Sequence, residues 1–166
     1  YEGTFDGQGH KISSLYISEA AVAKQGLFGE LSSTGVVKNL GVTNSTVEMS
    51  TSDKINNSYP AILVGCNNGG TIMNCYVSAS FVKTYAGLYA KSAAICGGSK
   101  GGLIVNCYSV KNTINETNNN YQIGGICGYS SGSIENCYVI ETSLVTTSTN
   151  AAVRSICGSN SGATVA

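Results

Sequence analysis

The sequence predicts an all-β protein, a right-handed parallel β-helix (β-solenoid) of about five coils with roughly 30 residues per coil. A four-residue phrase with asparagine at its third position recurs every 30 to 35 residues, and a glycine preceded by two apolar residues recurs in step with it. The composition agrees with short strands joined by tight turns. Charged residues make up 11% of the 166 residues, glycine occurs 21 times and proline once, and the remainder is rich in Ser, Thr, Asn, Val and Ile.

The asparagine phrase predicts a bend in each coil. Its copies are Val37-Lys38-Asn39-Leu40, Ile72-Met73-Asn74-Cys75, Ile104-Val105-Asn106-Cys107 and Ile134-Glu135-Asn136-Cys137, with Ile12-Ser13-Ser14-Leu15 as a degenerate fifth copy upstream. Apolar residues three positions apart cannot share one face of a flat strand, and asparagine is the non-glycine residue that best tolerates left-handed φ,ψ. Because stacked coils lie about 4.8 Å apart, we expect an amide ladder of Asn39, Asn74, Asn106 and Asn136, with Ser14 at its start.

Stacking in register also predicts three inward-facing columns of side chains. The first column is Ile12, Val37, Ile72, Ile104 and Ile134. The second column is Leu15, Leu40, Cys75, Cys107 and Cys137. The third column precedes the recurrent glycines and is Leu27, Leu63, Ile95, Ile126 and Ile156. A thin but continuous core of this kind is sufficient when each coil packs on its neighbours.

Six of the seven cysteines occupy equivalent positions of the repeat. Spacings near 30 residues exclude a Cys-x-x-Cys zinc or redox motif. Neighbours at a coil spacing of about 4.8 Å exceed the Cβ separation of a disulfide, which is roughly 3.5 to 4.5 Å. We therefore expect small buried side chains with free thiols.

A tyrosine column is the first candidate for a binding surface. Tyr16, Tyr76, Tyr108 and Tyr138 each follow an inward-facing position and should point outward, with Gly41 interrupting the column. Exposed stacked rings can bind sugar faces or a protein partner, but they can equally form a ladder that only stabilises the coils. The second candidate is the pair of variable loops around Asn56-Asn57-Ser58 and Asn118-Asn119-Asn120, because loops that differ between repeats often carry recognition.

The sequence shows no cluster of carboxylates of the kind that a catalytic β-helix uses. It contains two Asp, Asp6 and Asp53, one Arg, Arg154, and one histidine, His10. Glycan-cleaving enzymes need clustered carboxylates, and a zinc site with two histidines is excluded. Nine basic residues balance nine acidic residues, which argues against nucleic acid as a partner, and no apolar run is long enough for membrane insertion. We expect no metal and no cofactor.

Several motifs resemble the GLUG-motif repeat proteins, which are pectin-lyase-like bacterial surface and adhesin β-helices. Gly26-Leu27-Phe28-Gly29 fits the motif core, Gly125-Ile126-Cys127-Gly128 is a near match, and Asn-Cys-Tyr recurs at 74–76, 106–108 and 136–138. The opening, residues 3–12, is similar to the phrase that precedes such repeats. Cysteine stands where many such repeats have Val or Leu, and Ala93-Ala94 and Arg154-Ser155 replace frequent glycine pairs. The resemblance implies a secreted or cell-surface location and no enzymatic activity of the repeats.

Together these observations favour a non-enzymatic, adhesin-like module over residues 1–166, one β-helix domain from a longer surface protein. It would act as a rigid spacer, bind a host glycan or surface protein, or do both. An uncovered C-terminal edge would also permit end-to-end self-association. The alternative is a glycan-processing β-helix of the lyase or hydrolase type, whose carboxylates would be brought together by loops.

Overall fold

The chain forms a parallel β-solenoid of five coils. The computed structural model describes residues 1–19, 22–49, 57–85, 89–117, 121–162 and 164–166. These residues contain strands and turns and no helix, so none of them forms a helix long and apolar enough to cross a membrane. The predicted β-helix of about five coils is therefore confirmed.

Each coil contains five short strands. The first coil has β1 (Thr4–Asp6), β2 (Lys11–Ser13), β3 (Tyr16–Ile17), β4 (Lys24–Gln25) and β5 (Phe28–Leu31). The second has β6 (Val36–Lys38), β7 (Gly41–Thr43), β8 (Thr46–Met49), β9 (Tyr59–Pro60) and β10 (Val64–Asn67). The third has β11 (Thr71–Met73), β12 (Tyr76–Ser78), β13 (Phe81–Thr84), β14 (Lys91–Ser92) and β15 (Cys96–Ser99). The fourth has β16 (Leu103–Val105), β17 (Tyr108–Val110), β18 (Thr113–Glu116), β19 (Gln122–Gly124) and β20 (Cys127–Ser130). The fifth has β21 (Ser133–Glu135), β22 (Tyr138–Ile140), β23 (Ser143–Thr146), β24 (Ala152–Arg154) and β25 (Cys157–Asn160), and β26 (Thr164–Val165) follows it.

Equivalent strands of successive coils pair in parallel and build the sheets. Sheet 1 has the order β1-β6-β11-β16-β21-β26, sheet 2 is β2-β7-β12-β17-β22, and sheet 3 is β3-β8-β13-β18-β23. Sheet 4 consists of β4-β9 and β14-β19-β24, joined by a bridge between Ala61 and Ala93, and sheet 5 is β5-β10-β15-β20-β25. This pairing places side chains of one repeat position directly above one another.

The predicted first column is confirmed for Val37, Ile72, Ile104 and Ile134, which pair in register, but it is wrong for the first coil. Phe5, and not Ile12, pairs with Val37. Ile12 pairs with Val42 in sheet 2, and the backbone amide of Leu15 donates to Ser45 Oγ (3.1 Å), so neither residue lies in its predicted column. The reason is that the first coil spans residues 7–10 where the second has only residues 39 and 40, so Ile12 and Leu15 flank the next corner.

Two corners per coil have left-handed backbone. The first corner is formed by Asn39, Asn74, Asn106 and Asn136, whose φ angles are 55°, 52°, 54° and 51°. The second, which the sequence does not reveal, is formed by Ser14, Asn44, Ala79, Lys111 and Glu141, with φ between 49° and 61°. Backbone amides at both corners donate to carbonyls of the next coil, for example Asn74 N–H to Val105 O (3.1 Å) and Ala79 N–H to Val110 O (3.1 Å). The bends therefore do not interrupt the stacking of the coils.

The cysteines line the core as free thiols. Cys75, Cys107 and Cys137 follow the asparagine corner, and Cys96, Cys127 and Cys157 pair in register along sheet 5. All seven cysteines are free, and six are buried, with Cys137 partly exposed. Burial raises the pKa of the Cys66 thiol to about 11, which leaves it protonated at neutral pH.

We predict that a thiol reagent modifies Cys137 first in the native protein and the other cysteines only after denaturant is added. Burial prevents access of the reagent to the thiolate that must attack it. Mass spectrometry of a labelling time course would measure this order, with Cys137→Ser as the control that stays unlabelled while folded. Rapid native labelling of Cys107 or Cys127 would show that these columns are not in the core.

Candidate functional site

Three tyrosines form a stack on the outside of sheet 2. Tyr76, Tyr108 and Tyr138 begin β12, β17 and β22 and pair directly with one another. Their rings are parallel within 3°, and the ring centroids are 4.9 and 5.0 Å apart, close to the spacing of the coils. Burial, with the neighbouring tyrosines Tyr138 and Tyr76, raises the pKa of the Tyr108 hydroxyl. The pairing of the strands thus fixes a row of three aromatic rings, which we call the tyrosine stack.

Gly41 determines where the tyrosine stack ends. It pairs with Tyr76, and a Cβ atom added to it would lie 2.3 Å from Cζ of the Tyr76 ring. The Tyr76 ring therefore leans back over the preceding coil and occupies the space above the glycine. Lys11 has the same position in the first coil. Any larger residue at position 41 would force the ring to move.

Tyr16 does not belong to the tyrosine stack, which corrects the prediction made from the sequence. It pairs with Thr46 in sheet 3, and its hydroxyl is 3.4 Å from a carboxylate oxygen of Glu48, to which it donates. The physical reason is again the longer first corner, which shifts residues 12–16 by one strand relative to the repeat. Its side chain is 65% exposed.

An apolar strip lies next to the tyrosine stack. The neighbouring outward positions of β12, β17 and β22 are Ser78, Val110 and Ile140, paired in register. Tyr138 and Ile140 are each 48% exposed. The hydroxyls of Tyr76, Tyr108 and Tyr138 make no hydrogen bond to another described residue. The surface therefore offers rigid rings, aliphatic contacts and three hydroxyl groups that no described residue engages.

The asparagine corner carries a directional chain of side-chain hydrogen bonds. Asn106 Nδ2 donates to Asn74 Oδ1 (3.2 Å), and Asn74 Nδ2 donates to Asn39 Oδ1 (3.1 Å). Asn39 Nδ2 donates to the carboxylate of Asp6 (2.9 Å), so an acceptor-only group ends the chain and Ser14 has no part in it. The hydrogen bond from Asn39 and that from the Gln8 amide lower the pKa of Asp6. Among the described residues the chain does not extend to Asn136, whose backbone amide donates to Ala166 O (3.0 Å).

The second corner is supported by polar side chains inside the coil. Ser45 N–H donates to Ser80 Oγ (3.1 Å), and Ser80 N–H donates to Asn112 Oδ1 (2.9 Å). All three residues are buried. Buried backbone amides need acceptors, and here the next coil supplies a side-chain oxygen because the corner turns the amide inward. No signal in the sequence marks these residues, because the equivalent position of successive coils holds different residue types: Ser45, Ser80, Asn112 and Thr142.

Glu116 is an enclosed carboxyl group that sequence analysis missed. It lies in register between Thr84 and Thr146, has no exposed surface, and accepts a hydrogen bond from the Ser92 hydroxyl at Oε1. Its Oε2 has no partner among the described residues. Burial raises the pKa of Glu116 to about 8, and the Ser92 hydrogen bond opposes this only in part. The carboxyl is therefore largely protonated at neutral pH.

Most of the remaining carboxylates in the described part of the chain are paired with lysines, and Glu2 and Glu19 are exposed. Four of them form ion pairs with lysines: Lys24–Glu30, Lys38–Asp6, Lys83–Glu48 and Lys111–Glu141. A glycine-lined groove crosses the turns that precede sheet 1, and Glu135 is the single carboxylate among its lining residues. The described residues also contain no group of three His, Cys, Asp or Glu side chains that could hold a metal ion.

The loop surface predicted as the second candidate is only partly described. Asn57 and Ser58 precede β9, and the Asn57 side chain contacts Lys91 Nζ (3.0 Å). Asn56 and Asn118-Asn119-Asn120 lie outside the described residues.

Comparison with known proteins identifies the repeat. Residues 119–143 match the family described as the GLUG motif, and this range includes β19 to β22. A stretch of 47 residues, 28% of the chain, is 43% identical to a segment of halomucin of Haloquadratum walsbyi. Halomucin is so much longer that this stretch rounds to 0% of its length. No solved structure matches the chain. The chain therefore carries a GLUG motif within a solenoid of similar coils.

We predict that Asn74→Ala destabilises the protein more than Asn44→Ala. Both residues have left-handed backbone, with φ of 52° and 50°, so both substitutions place alanine in the same unfavourable conformation. Only Asn74 gives and receives side-chain hydrogen bonds along the chain of amides, and each is worth about 0.5 to 1 kcal/mol at an exposed site. Urea unfolding should show an additional loss of about 1 to 2 kcal/mol for Asn74→Ala. Equal losses in the free energy of unfolding would show that the asparagine stabilises the corner only through its backbone conformation.

We also predict that the free energy of unfolding falls as pH rises from about 5 to about 8. Because the pKa of Glu116 is about 8 in the folded protein and about 4.3 in the unfolded chain, its contribution is complete at low pH and is lost as pH rises through this window. The slope should approach 1.4 kcal/mol per pH unit at most, as a rough upper limit. Glu116→Gln should flatten the curve, whereas Glu135→Gln, on the surface, should not. An identical slope in wild type and Glu116→Gln would contradict the assignment.

Proposed function

We propose that this chain is a rigid, non-enzymatic segment of a cell-surface or secreted repeat protein, and that the tyrosine stack binds a host glycan or protein. The GLUG motif and the similarity of a segment to halomucin support the location. The observation that carries the binding role is the row of three parallel rings on one outer face, whose hydroxyls have no hydrogen-bond partner among the described residues.

The stack is well suited to recognition because it is already ordered. Each ring packs on its neighbour at about 5 Å, so little side-chain entropy remains to be lost on binding. Tyrosine gives a large contact area with few rotatable bonds, and its hydroxyl donates and accepts hydrogen bonds. A linear glycan along the solenoid axis would meet one hydroxyl per coil, while the apolar strip at Val110 and Ile140 would contact its C–H surfaces.

The non-enzymatic interpretation rests on the distribution of carboxylates. Hydrolysis of glycans uses two carboxyl groups about 5 to 10 Å apart. In the described residues the groove contains Glu135 alone, four other carboxylates are neutralised by lysines, and Glu116 is enclosed. This arrangement favours a binding module over the glycan-processing alternative.

We predict that Tyr76→Ser/Tyr108→Ser/Tyr138→Ser abolishes binding to glycans or proteins selected on an array by the wild-type chain. Aromatic anchors commonly carry most of the binding energy of an interface, so affinity should fall at least about 100-fold. The free energy of unfolding should change by only about 1 to 2 kcal/mol, since half-buried cross-strand pairs are lost. The matched control is Tyr16→Ser/Tyr89→Ser, which removes two exposed tyrosines outside the stack.

A second variant separates the hydroxyls from the rings. Replacing the three tyrosines by Phe keeps the stack and removes the hydroxyls, so a glycan that hydrogen bonds to them should bind about tenfold more weakly. A polysaccharide-cleavage assay on the same samples tests the alternative. Retained affinity in a folded Ser variant would assign the stack to structure, and measured turnover would overturn the non-enzymatic role.

A further inference from the structure

Two lysines converge on one tyrosine ring at the junction of sheets 4 and 5. Nζ of Lys91 lies 5.1 Å from the ring centroid of Tyr59, and Nζ of Lys100 lies 5.2 Å from the same centroid. The two ammonium groups are therefore no farther apart than the sum of these two distances. Tyr59 itself is buried, Lys91 is half-buried and Lys100 is exposed, so the ring contacts two cationic side chains near the surface.

Gly98 makes room for this arrangement in the third coil. A Cβ atom on Gly98 would lie 2.5 Å from Cδ1 of the Tyr59 ring. The paired positions in the other coils carry side chains: Glu30, Cys66, Tyr129 and Ser159. The space that the Tyr59 ring occupies therefore exists only in the third coil of the described solenoid, where glycine replaces a larger residue.

Hydrogen bonds orient the Lys91 ammonium group. Its Nζ donates to Asn57 Oδ1 (3.0 Å) and to the carbonyl of Tyr89 (3.1 Å). An ammonium group has three donors, so one remains for a ligand. Lys100 is exposed, and its side chain makes no hydrogen bond or ion pair with another described residue. Both neighbours of Lys91 are neutral oxygens, which position the charge without cancelling it.

The positive charge at this place is not balanced within the described part of the chain. Lys24, Lys38, Lys83 and Lys111 each pair with a carboxylate, whereas Lys91, Lys100 and the separate, exposed Lys11 do not. Burial, and then the charge of Lys100, lower the pKa of Lys91. An anion placed between the two lysines would relieve this repulsion, and a second anionic oxygen could bind Lys100 at the same time.

We propose that Lys91 and Lys100 form a binding site for a carboxylate or sulfate group of an acidic polysaccharide. The site lies on sheets 4 and 5, apart from the tyrosine stack on sheet 2, and does not depend on the function proposed for that stack. The two lysines supply the charge, Asn57 and the Tyr89 carbonyl orient one of them, and the Tyr59 ring contacts both ammonium groups.

The test compares polygalacturonate and dextran sulfate with neutral dextran as probes for the whole chain. Binding is measured calorimetrically at about 0.1 M ionic strength, where screening extends over about 10 Å. Lys91→Gln/Lys100→Gln should weaken binding of an acidic polymer about tenfold. The matched control is Lys83→Gln/Lys111→Gln, which removes the same net charge from lysines already paired with carboxylates. Lys83 also lies over a tyrosine ring, Tyr85, at 4.5 Å.

A geometric variant separates this site from general attraction by charge. Gly98→Ala displaces the Tyr59 ring without altering charge and should also weaken binding, with folding checked by the unfolding midpoint. If sodium sulfate or sodium acetate displaces the polymer, the site recognises the sulfate or carboxylate group itself, which supports the proposed anion chemistry. The proposal is overturned if neither acidic polymer binds, if both lysine pairs lose affinity equally, or if neutral dextran binds as well.

Discussion

Parallel backbone pairing between successive coils is the interaction on which the rest of this structure depends. Apart from β9 and β14, which a single bridge joins, every strand in the interior coils pairs with the coil before and the coil after it, so equivalent residues stack at the spacing of one strand. The apolar columns, the chain of amides and the tyrosine stack all follow from this register. A coil could not bury its own few apolar side chains alone, and stability therefore comes from repetition.

The corners show how the backbone accommodates bends within this pairing. At the first corner asparagine adopts the left-handed conformation, and its exposed side-chain amide donates to the asparagine of the preceding coil, with Asp6 as the final acceptor. At the second corner the left-handed residues are of several types, and the compensation lies one residue later, where Ser45, Ser80 and Asn112 accept or donate inside the coil. The second corner thus meets the requirement that a buried backbone amide must find an acceptor, while the first corner adds hydrogen bonds between exposed side chains.

Candidate functions lie where the coils differ from one another. Gly41 ends the tyrosine stack, and Gly98 seats the Tyr59 ring beneath two lysines. Four of the seven described lysines pair with nearby carboxylates, whereas Lys91 and Lys100 lie unpaired against one ring, although the whole chain has no net charge. Net composition therefore conceals a local charge that only the folded arrangement brings together.

The sequence by itself determined the architecture, because a repeat length near 30 residues and asparagine at a fixed position leave few ways to bury the apolar residues. It also indicated the register of Val37, Ile72, Ile104 and Ile134 and of the last three tyrosines, since these copies have nearly equal lengths. Only the tertiary structure decided the register of the first coil, where residues 7–10 lengthen the corner and move Ile12, Leu15 and Tyr16 to other positions. It alone revealed the second corner, the enclosed Glu116 and the lysine pair, because these depend on contacts between coils, and residues 24 to 41 positions apart give no local pattern in the sequence.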